Sequence, residues 1–343
     1  MPFWINIITA AVAFGISAGI GFFLIPYLKK LNFGQTILDI GPKWHKDKEG
    51  TPTMGGFMFI VGTVLATVVG FVIFNATKKE INLDETATTL KLLAGIITAM
   101  FFAMIGFVDD YIKVVKKRNL GLTSKQKLIL QLIVSSLFLF VLFVLGDRST
   151  SITFPFFGAV DFKIFYYPLM VLFITFVVNA VNLTDGIDGL CGSVTAICGL
   201  SFALVCVILS QYEQSIFAMA LAGACVGFLV WNLHPAKVFM GDTGSMFLGG
   251  AFVTIGIATH QHLLLVLIGI VYICEALSVV IQVISFKTTG KRVFKMSPIH
   301  HHFEMCKWSE YKIVIVFSLV ALAAGVGAVA IVVNSMGGII SVK

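Results

Sequence analysis

The chain has 343 residues, of which 58% are hydrophobic and only 12% are charged, and its mean hydropathy is +0.98. This composition excludes an ordinary water-soluble domain, in which about 25% of residues are charged. The net charge of +7 does not indicate nucleic-acid binding, because Lys and Arg in a membrane protein collect in its cytoplasmic loops.

Hydropathy predicts an all-α polytopic membrane protein with ten transmembrane helices, in a single integral membrane domain over residues 1–343. About 20 apolar residues are needed for a helix to cross the hydrocarbon core. The predicted spans are residues 3–28, 54–75, 92–112, 127–146, 165–184, 187–209, 215–233, 244–259, 262–286 and 312–334. A tight hairpin is predicted at residues 260–262, because one helix over the eighth and ninth spans would be too long for a single crossing.

The distribution of basic residues predicts the orientation of these spans. Most Lys and Arg residues lie in or beside the loops that follow odd-numbered spans. This bias places those loops in the cytoplasm and both termini on the extracytoplasmic side. The predicted cytoplasmic loops are about 29–53, 113–126, 184–188, 234–243 and 287–311. Every polar cluster that could carry chemistry falls on this face, which predicts an active site on the cytoplasmic face.

A basic segment punctuated by Gly and Pro, residues 41–56, runs from the first predicted cytoplasmic loop into the second span, with Lys48 and Thr53 as candidate substrate-binding residues. Such a composition is typical of an ordered turn that approaches a ligand closely. The segment lacks the Walker A pattern, so nucleoside triphosphate hydrolysis is unsupported. An alternative is that its lysines and His45 anchor the protein to anionic lipids.

Two adjacent carboxylates, Asp109 and Asp110, end the third span. A helix C-terminus disfavours negative charge, so a cation is expected there. Mg²⁺ held by one or two carboxylates and by substrate phosphates is common in phosphoryl chemistry. The alternative is an interfacial pair that is neutralised by Lys113 and Lys116.

The connection between the fifth and sixth spans holds two asparagines and two aspartates, namely Asn179, Asn182, Asp185 and Asp188. Helix capping explains one acidic residue there, but not two aspartates and two asparagines. Polar side chains at membrane depth are costly and usually functional. We therefore favour a binding or catalytic role for this segment over capping alone.

The eighth span is preceded by glycines, hydroxyl groups and Asp242, in the segment 239–245. A helix N-terminus with free backbone N–H groups suits phosphate binding, and Asp242 could hold a metal that bridges the phosphates. An ordinary N-cap is the alternative. Glu275, inside the ninth span, is the one acidic residue deep in a span, and it could serve as a packing hydrogen bond or a dimer contact.

Three consecutive histidines, His300, His301 and His302, lie in the last predicted cytoplasmic loop. Zinc binding is disfavoured, because consecutive histidines rarely all face one metal and no cysteine has the usual spacing. Contacts to a diphosphate or a nucleotide are the favoured interpretation. A solvated basic loop remains the alternative.

Together these motifs resemble the polyprenyl-phosphate N-acetylhexosamine-1-phosphate transferase superfamily over nearly the whole chain. The resemblance rests on the strings at residues 50–56, 108–111, 182–190, 241–245 and 297–304. Pro42, Lys43 and His45, with the uninterrupted histidines, are more similar to the muramoyl branch, the phospho-N-acetylmuramoyl-pentapeptide transferases, than to the GlcNAc-phosphate branch.

The resemblance implies ten transmembrane helices, usually a homodimer, and transfer from UDP-N-acetylmuramoyl-pentapeptide to undecaprenyl phosphate with Mg²⁺. It implies that Asp242 is the Mg²⁺ ligand. It also implies that Asp109 is the base that deprotonates the lipid phosphate, with Asp110 beside Asp109, and either Asp109 or Asp110 could also be a metal ligand. Phosphates would be held by Lys48, Lys113 and Lys125. The nucleotide and sugar would be surrounded by Asn179, Asn182, Asp185, Asp188, Asn232, Phe239, His300, His301 and His302.

Three alternatives belong to other classes or specificities. A transporter would place ionisable residues near the bilayer midplane, often in repeated halves. An intramembrane aspartyl protease would need a carboxylate pair that shares a proton, without surrounding lysines. A sister transferase that uses UDP-GlcNAc differs only in its sugar specificity.

Overall fold

The structure, a computed structural model, describes residues 3–31, 48, 50–77, 83–115, 121–154 and 158–340. Within these residues it is a bundle of helices, α1 (Trp4–Lys30), α2 (Phe57–Thr77), α3 (Leu83–Val115), α4 (Ser124–Val144), α5 (Tyr166–Thr184), α6 (Leu190–Ile208), α7 (Tyr212–Asn232), α8 (Gly241–Ala258), α9 (His262–Ile268), α10 (Ile270–Thr289), α11 (Ile299–Met305) and α12 (Glu310–Ile340). Among the described residues, nine helices are long and apolar enough to cross a membrane, namely α1–α7, α10 and α12. The prediction of a polytopic helical membrane protein is therefore confirmed.

The predicted eighth span corresponds to α8, which is not one of these nine helices. Its first turn carries Asp242 and hydroxyl residues, and every residue from Thr243 to Ala258 is buried. A helix that is surrounded by other helices meets protein rather than lipid, so it does not need a uniformly apolar surface. Close contact with α3 is possible because Gly250 packs against Phe102, where a Cβ would lie 2.8 Å from the ring.

The predicted break between the eighth and ninth spans is present. α8 ends at Ala258, and His260 adopts a positive φ of 56°. The N–H of Gln261 then donates to the carbonyl oxygen of Gly256 over 2.8 Å, which closes the helix end. The ninth span is not the continuous helix that was predicted, because α9 ends before Gly269 and α10 begins after it.

A small antiparallel hairpin follows α4 and corrects the expectation of a purely helical chain. Its strands are β1 (Ser151–Phe154) and β2 (Gly158–Asp161), with Ser151 paired to Asp161. A second element that the sequence did not indicate is α11, which lies inside the predicted loop 287–311.

The loops that follow odd-numbered spans meet at one end of the bundle. Lys48 contacts Asp188 and Glu310, which joins three of these loops through side chains. Asp147, which follows α4, instead pairs with His260. The predicted active-site residues are therefore brought to one end, and the Asp147–His260 pair lies among the loops that follow even-numbered spans.

Candidate active site

Three carboxylates from α3 and α8 converge at this end. One carboxylate oxygen from each of Asp109, Asp110 and Asp242 lies within 4.8 Å of the others. The approach of the two helices requires Gly106, because a Cβ there would lie 2.1 Å from the carbonyl oxygen of Asp242. The structure thus brings together the three residues that the sequence predicted as catalytic or metal-binding.

Both carboxylate oxygens of Asp110 accept hydrogen bonds from the N-terminus of α8. Its Oδ2 accepts from the backbone N–H of Thr243 at 2.9 Å and from the Thr243 hydroxyl at 2.7 Å. Its Oδ1 accepts from the N–H of Asp242 at 3.2 Å. The first N–H groups of a helix have no partner within the helix, so Asp110 caps α8 and fixes Asp242 in place.

Asp109 faces a lysine and the start of the next loop. Its Oδ2 lies 2.6 Å from the ammonium of Lys113, one helical turn further along α3. Its Oδ1 accepts from the N–H of Leu122 at 2.8 Å. Gly121 is required beside it, because a Cβ there would lie 2.5 Å from the same oxygen.

Asp242 gathers cationic and amide donors from three other helices. Its Oδ2 accepts from Lys113 at 3.0 Å and from Lys127 at 2.9 Å, and its Oδ1 accepts from Asn182 at 2.9 Å. The side chain of Asp242 is 19% exposed, the highest value among the carboxylates of the trio. Lys113 therefore bridges Asp109 and Asp242 at the centre of the cluster.

Lys127 was missing from the predicted site, whereas Lys125 was included as a phosphate-binding residue and stays a prediction. Lys125 is exposed on α4, whereas Lys127 is half-buried and bonded to Asp242. A signal was present in the sequence, because Lys127, Gln131 and Ser135 recur every four residues and form one polar stripe on a helix. Gln131 and Ser135 are buried in that stripe.

Two predicted substrate-binding asparagines bridge elements of the protein. Asn179 exchanges hydrogen bonds with Gln131, at 2.7 and 3.3 Å. Asn232 accepts from the N–H of Gly189 at 3.1 Å and donates to the carbonyl of Val238 at 2.9 Å. In this structure both amides hold the site's framework.

A second charged cluster lies beside the carboxylate trio. The Lys48 ammonium is 2.7 Å from both Asp188 and Glu310, and His234 Nδ1 is 2.9 Å from Asp188. Glu310 Oε2 also accepts from the N–H of Asp188 at 3.1 Å. The sequence motifs include Lys48 and Asp188. They do not include His234 or Glu310, so these two residues were not predicted to belong to the site.

Asp185 lies in the turn between α5 and α6. Removal from water, together with the negative charges of Asp242, Asp110 and Asp188, raises the pKa of Asp185 to about 8. Such a carboxyl retains a proton through much of the neutral range. A cation or a lysine near this turn would favour its charged form.

Phe239 and Thr53 belong to two segments that pair with each other. The N–H of Phe239 donates to Pro52, and the carbonyl of Phe239 accepts from Gly55, both at 2.8 Å. Gly241 has a φ of 72°, and a Cβ there would lie 2.9 Å from the Thr53 hydroxyl. This pairing places Thr53 next to the start of α8, and the Phe239 ring is half-buried.

The three consecutive histidines have three different partners. His300 Nδ1 lies 3.0 Å from Glu275, and His301 Nδ1 lies 2.5 Å from Glu304. His302 Nδ1 accepts from the backbone N–H of Lys295. They do not share one metal in this geometry. Two of the predictions from the sequence involve residues outside the part of the chain that the structure describes. These are the basic segment, with Lys43, His45 and Lys46, and the pairing of Lys116 with the carboxylates of the third span.

The amino-acid sequence is similar to a known protein family and to several bacterial enzymes that share one name. Residues 92–260 match the family described as Glycosyl transferase family 4. The chain is 49% identical over 315 residues to a phospho-N-acetylmuramoyl-pentapeptide-transferase of Bacillus mycoides (strain KBAB4), covering 91% of this chain and 93% of the relative. Enzymes with the same name from Bacillus thuringiensis (strain Al Hakam) and Bacillus cereus (strain AH187) are each 48% identical to this chain, with the same coverage.

Proposed function

The chain belongs to the phospho-N-acetylmuramoyl-pentapeptide-transferase family, and from that premise we propose that it makes lipid I, transferring phospho-N-acetylmuramoyl-pentapeptide from its UDP carrier to undecaprenyl phosphate with release of UMP. It is a multi-pass protein of the bacterial cytoplasmic (inner) membrane. In peptidoglycan synthesis this reaction joins a soluble precursor to its lipid carrier. Its reacting groups therefore have to meet at a membrane surface.

The observation that carries the proposal is the set of lysines among the carboxylates of Asp109, Asp110 and Asp242. In the reaction, an oxygen of the lipid phosphate bonds to the sugar-linked phosphorus, and the bond from that phosphorus to the UMP oxygen breaks. Both reactants are anions that repel each other. Lys113 and Lys127 supply the positive charge that lowers this repulsion and stabilises the departing UMP.

The donor set fits Mg²⁺, because hard carboxylate oxygens are its usual protein ligands. Asp242 and Asp109 would hold the ion through the oxygens that now contact Lys113, whereas both oxygens of Asp110 accept from backbone N–H groups that begin α8. When bound, the ion would neutralise diphosphate charge. Lys113, which contacts both ligands here, would then be free to contact a substrate phosphate.

We assign Asp109 the role of accepting a proton from the lipid phosphate when that phosphate is protonated. The attack is direct, in a complex that contains both substrates. A two-step route through a phospho-aspartate is the alternative. Trapping a covalent sugar-phosphate enzyme in the absence of lipid would establish that alternative.

Ten spans, counting α8 as the tenth, both termini outside and the site on the cytoplasmic face remain part of the proposal. The clustered loops are the basic ones, which supports the cytoplasmic assignment. We also propose a homodimer, as the family resemblance implies.

The experiment that tests this function offers radiolabelled UDP-N-acetylmuramoyl-pentapeptide and UDP-GlcNAc separately to the purified protein with undecaprenyl phosphate. We expect only the first to give an organic-extractable product. EDTA should abolish product formation and excess Mg²⁺ should restore it. Conversion of UDP-GlcNAc alone would favour the sister transferase, and unchanged substrate accumulated in vesicles would favour a transporter.

Lys127→Met should lower kcat by about 10²-fold, because it removes a cation, in contact with Asp242, that stabilises the negative charge developing on the departing UMP. Lys125→Met is the matched comparison, since it removes an exposed lysine from the same turn of α4 and also tests the phosphate-binding role that the family resemblance implied for Lys125. Lys125→Met should lose less turnover than Lys127→Met in the same assay. Equal losses in the two variants would show that Lys127 has no special role.

A further inference from the structure

Glu275 is a fully buried carboxylate that the proposed mechanism does not use. It lies inside α10 and is 0% exposed. A buried acidic group in a membrane helix is costly unless another group of the protein compensates it. Its partner therefore indicates why an acid occupies this position.

The partner of Glu275 is His300, at the first turn of α11. Glu275 Oε2 lies 3.0 Å from His300 Nδ1 and 3.4 Å from the backbone nitrogen of the same residue. The N–H groups at the start of a helix need an external acceptor. One carboxylate oxygen thus fixes both the start of α11 and the orientation of the imidazole ring.

The opposite edge of the ring faces the active-site turn. His300 is also 0% exposed, and its Nε2 has no hydrogen-bond partner among the described residues. Gly186 packs directly on it, because a Cβ at that position would lie 2.1 Å from Nε2. Gly186 follows Asp185, so the ring contacts the turn that carries Asp185 and Asp188.

The hydrogen bonds define which ring nitrogen carries the proton. A carboxylate oxygen only accepts, so Nδ1 is the donor toward Glu275. In the neutral ring Nε2 is then a hydrogen-bond acceptor, as in the carboxylate–histidine pairs that orient metal ligands. A buried acceptor left without a donor is destabilising, so such a group in a native protein calls for an explanation.

We infer that Glu275 is a positioning residue, which holds His300 with a proton on Nδ1 and directs Nε2 toward the Asp185–Asp188 turn. When the UDP-sugar binds and Gly186 shifts away from the ring, Nε2 accepts from a hydroxyl or N–H donor of that substrate. This inference rests on the proposed function. It separates Glu275 from a dimer contact, because the side chain is 0% exposed within the subunit and its Oε2 contacts His300.

Kinetics of three variants test the inference. Glu275→Ala should lower kcat/KM for the UDP-sugar by about 10- to 100-fold, the usual effect of losing a partner that orients a functional histidine. Glu275→Gln should recover most of that loss, since its amide oxygen can accept from the same Nδ1–H. Glu213→Gln, which changes a buried glutamate at the start of α7, should behave as wild type.

The ring tautomer provides a readout that does not depend on turnover. Proton–nitrogen correlation spectra of protein with isotope-labelled histidine, with His300 assigned by its loss in His300→Gln, should show Nδ1–H in wild type and Glu275→Gln. Glu275→Ala should shift the ring toward Nε2–H. An Nε2–H ring in wild type, or normal kcat/KM in Glu275→Ala, overturns the inference. A wild-type protein without transferase activity would instead contradict the proposed function. The tautomer measured by the spectra would still show whether Nδ1 of His300 donates to Glu275.

Discussion

Asp242→Asn is expected to reduce kcat by about 10³-fold or more while the protein stays folded. The carboxylate accepts from two lysines and one asparagine at the centre of the cluster, and it is the most exposed of the three aspartates. Removing one preorganised charge of this kind from an active site commonly costs 10²- to 10³-fold, and loss of a metal ligand adds to that cost. The measurement is steady-state transfer to undecaprenyl phosphate over a range of Mg²⁺ concentrations.

The Mg²⁺ dependence separates two explanations of such a loss. If Asp242 is a ligand, the Mg²⁺ concentration for half-maximal rate should rise in Asp242→Asn, because a neutral amide is a poorer ligand than a carboxylate. Ser245→Ala is a useful control, since Ser245 also accepts from Asn182 but carries no charge. An unchanged Mg²⁺ requirement in Asp242→Asn would remove it as a ligand.

The parts of the fold that depend on hydrophobic runs could be predicted from the sequence. Length predicts that the chain must break between the eighth and ninth spans, since a single crossing needs about 20 apolar residues, and the polar residues His260, Gln261 and His262 locate the break that is observed at residues 259–261. The hairpin β1–β2 and the short helix α11 were missed because each is too short to leave a periodic signal. α9 and α10 were merged because the Gly269 between them interrupts no apolar run.

The site was predicted as a set of residues but not as a set of contacts. Motifs identify Asp109, Asp110 and Asp242, yet spacing cannot say which oxygen faces a backbone N–H and which faces a lysine. Lys125 was included because the family resemblance implied it, and Lys127 was left out because only the packing of α4 shows that it contacts Asp242. Glu310 was missed because only tertiary packing brings the start of α12 to Asp188.

The two adjacent aspartates of α3 should respond differently to the same substitution. Asp109→Asn should lower kcat by about 10³-fold with little change in Tm, since an asparagine can still accept from Leu122 and the flexible Lys113 retains Asp242. Asp110→Asn should lower Tm by several degrees, because both of its oxygens accept from N–H groups and the new amide must turn an NH₂ toward one of them. A misplaced buried donor costs about 1–3 kcal/mol.

Thermal unfolding in detergent, followed beside transfer activity, resolves the two roles. Thr243→Val is the matched test for Asp110, since it removes the hydroxyl that donates to the same oxygen and leaves the backbone N–H in place. It should lower Tm less than Asp110→Asn does. Because the cap also fixes the backbone of Asp242, Asp110→Asn should lose activity as a consequence of displacing α8. Equal Tm values for the two asparagine variants would mean that Asp110 does not hold the helix, and the division of roles between the neighbours would then be wrong.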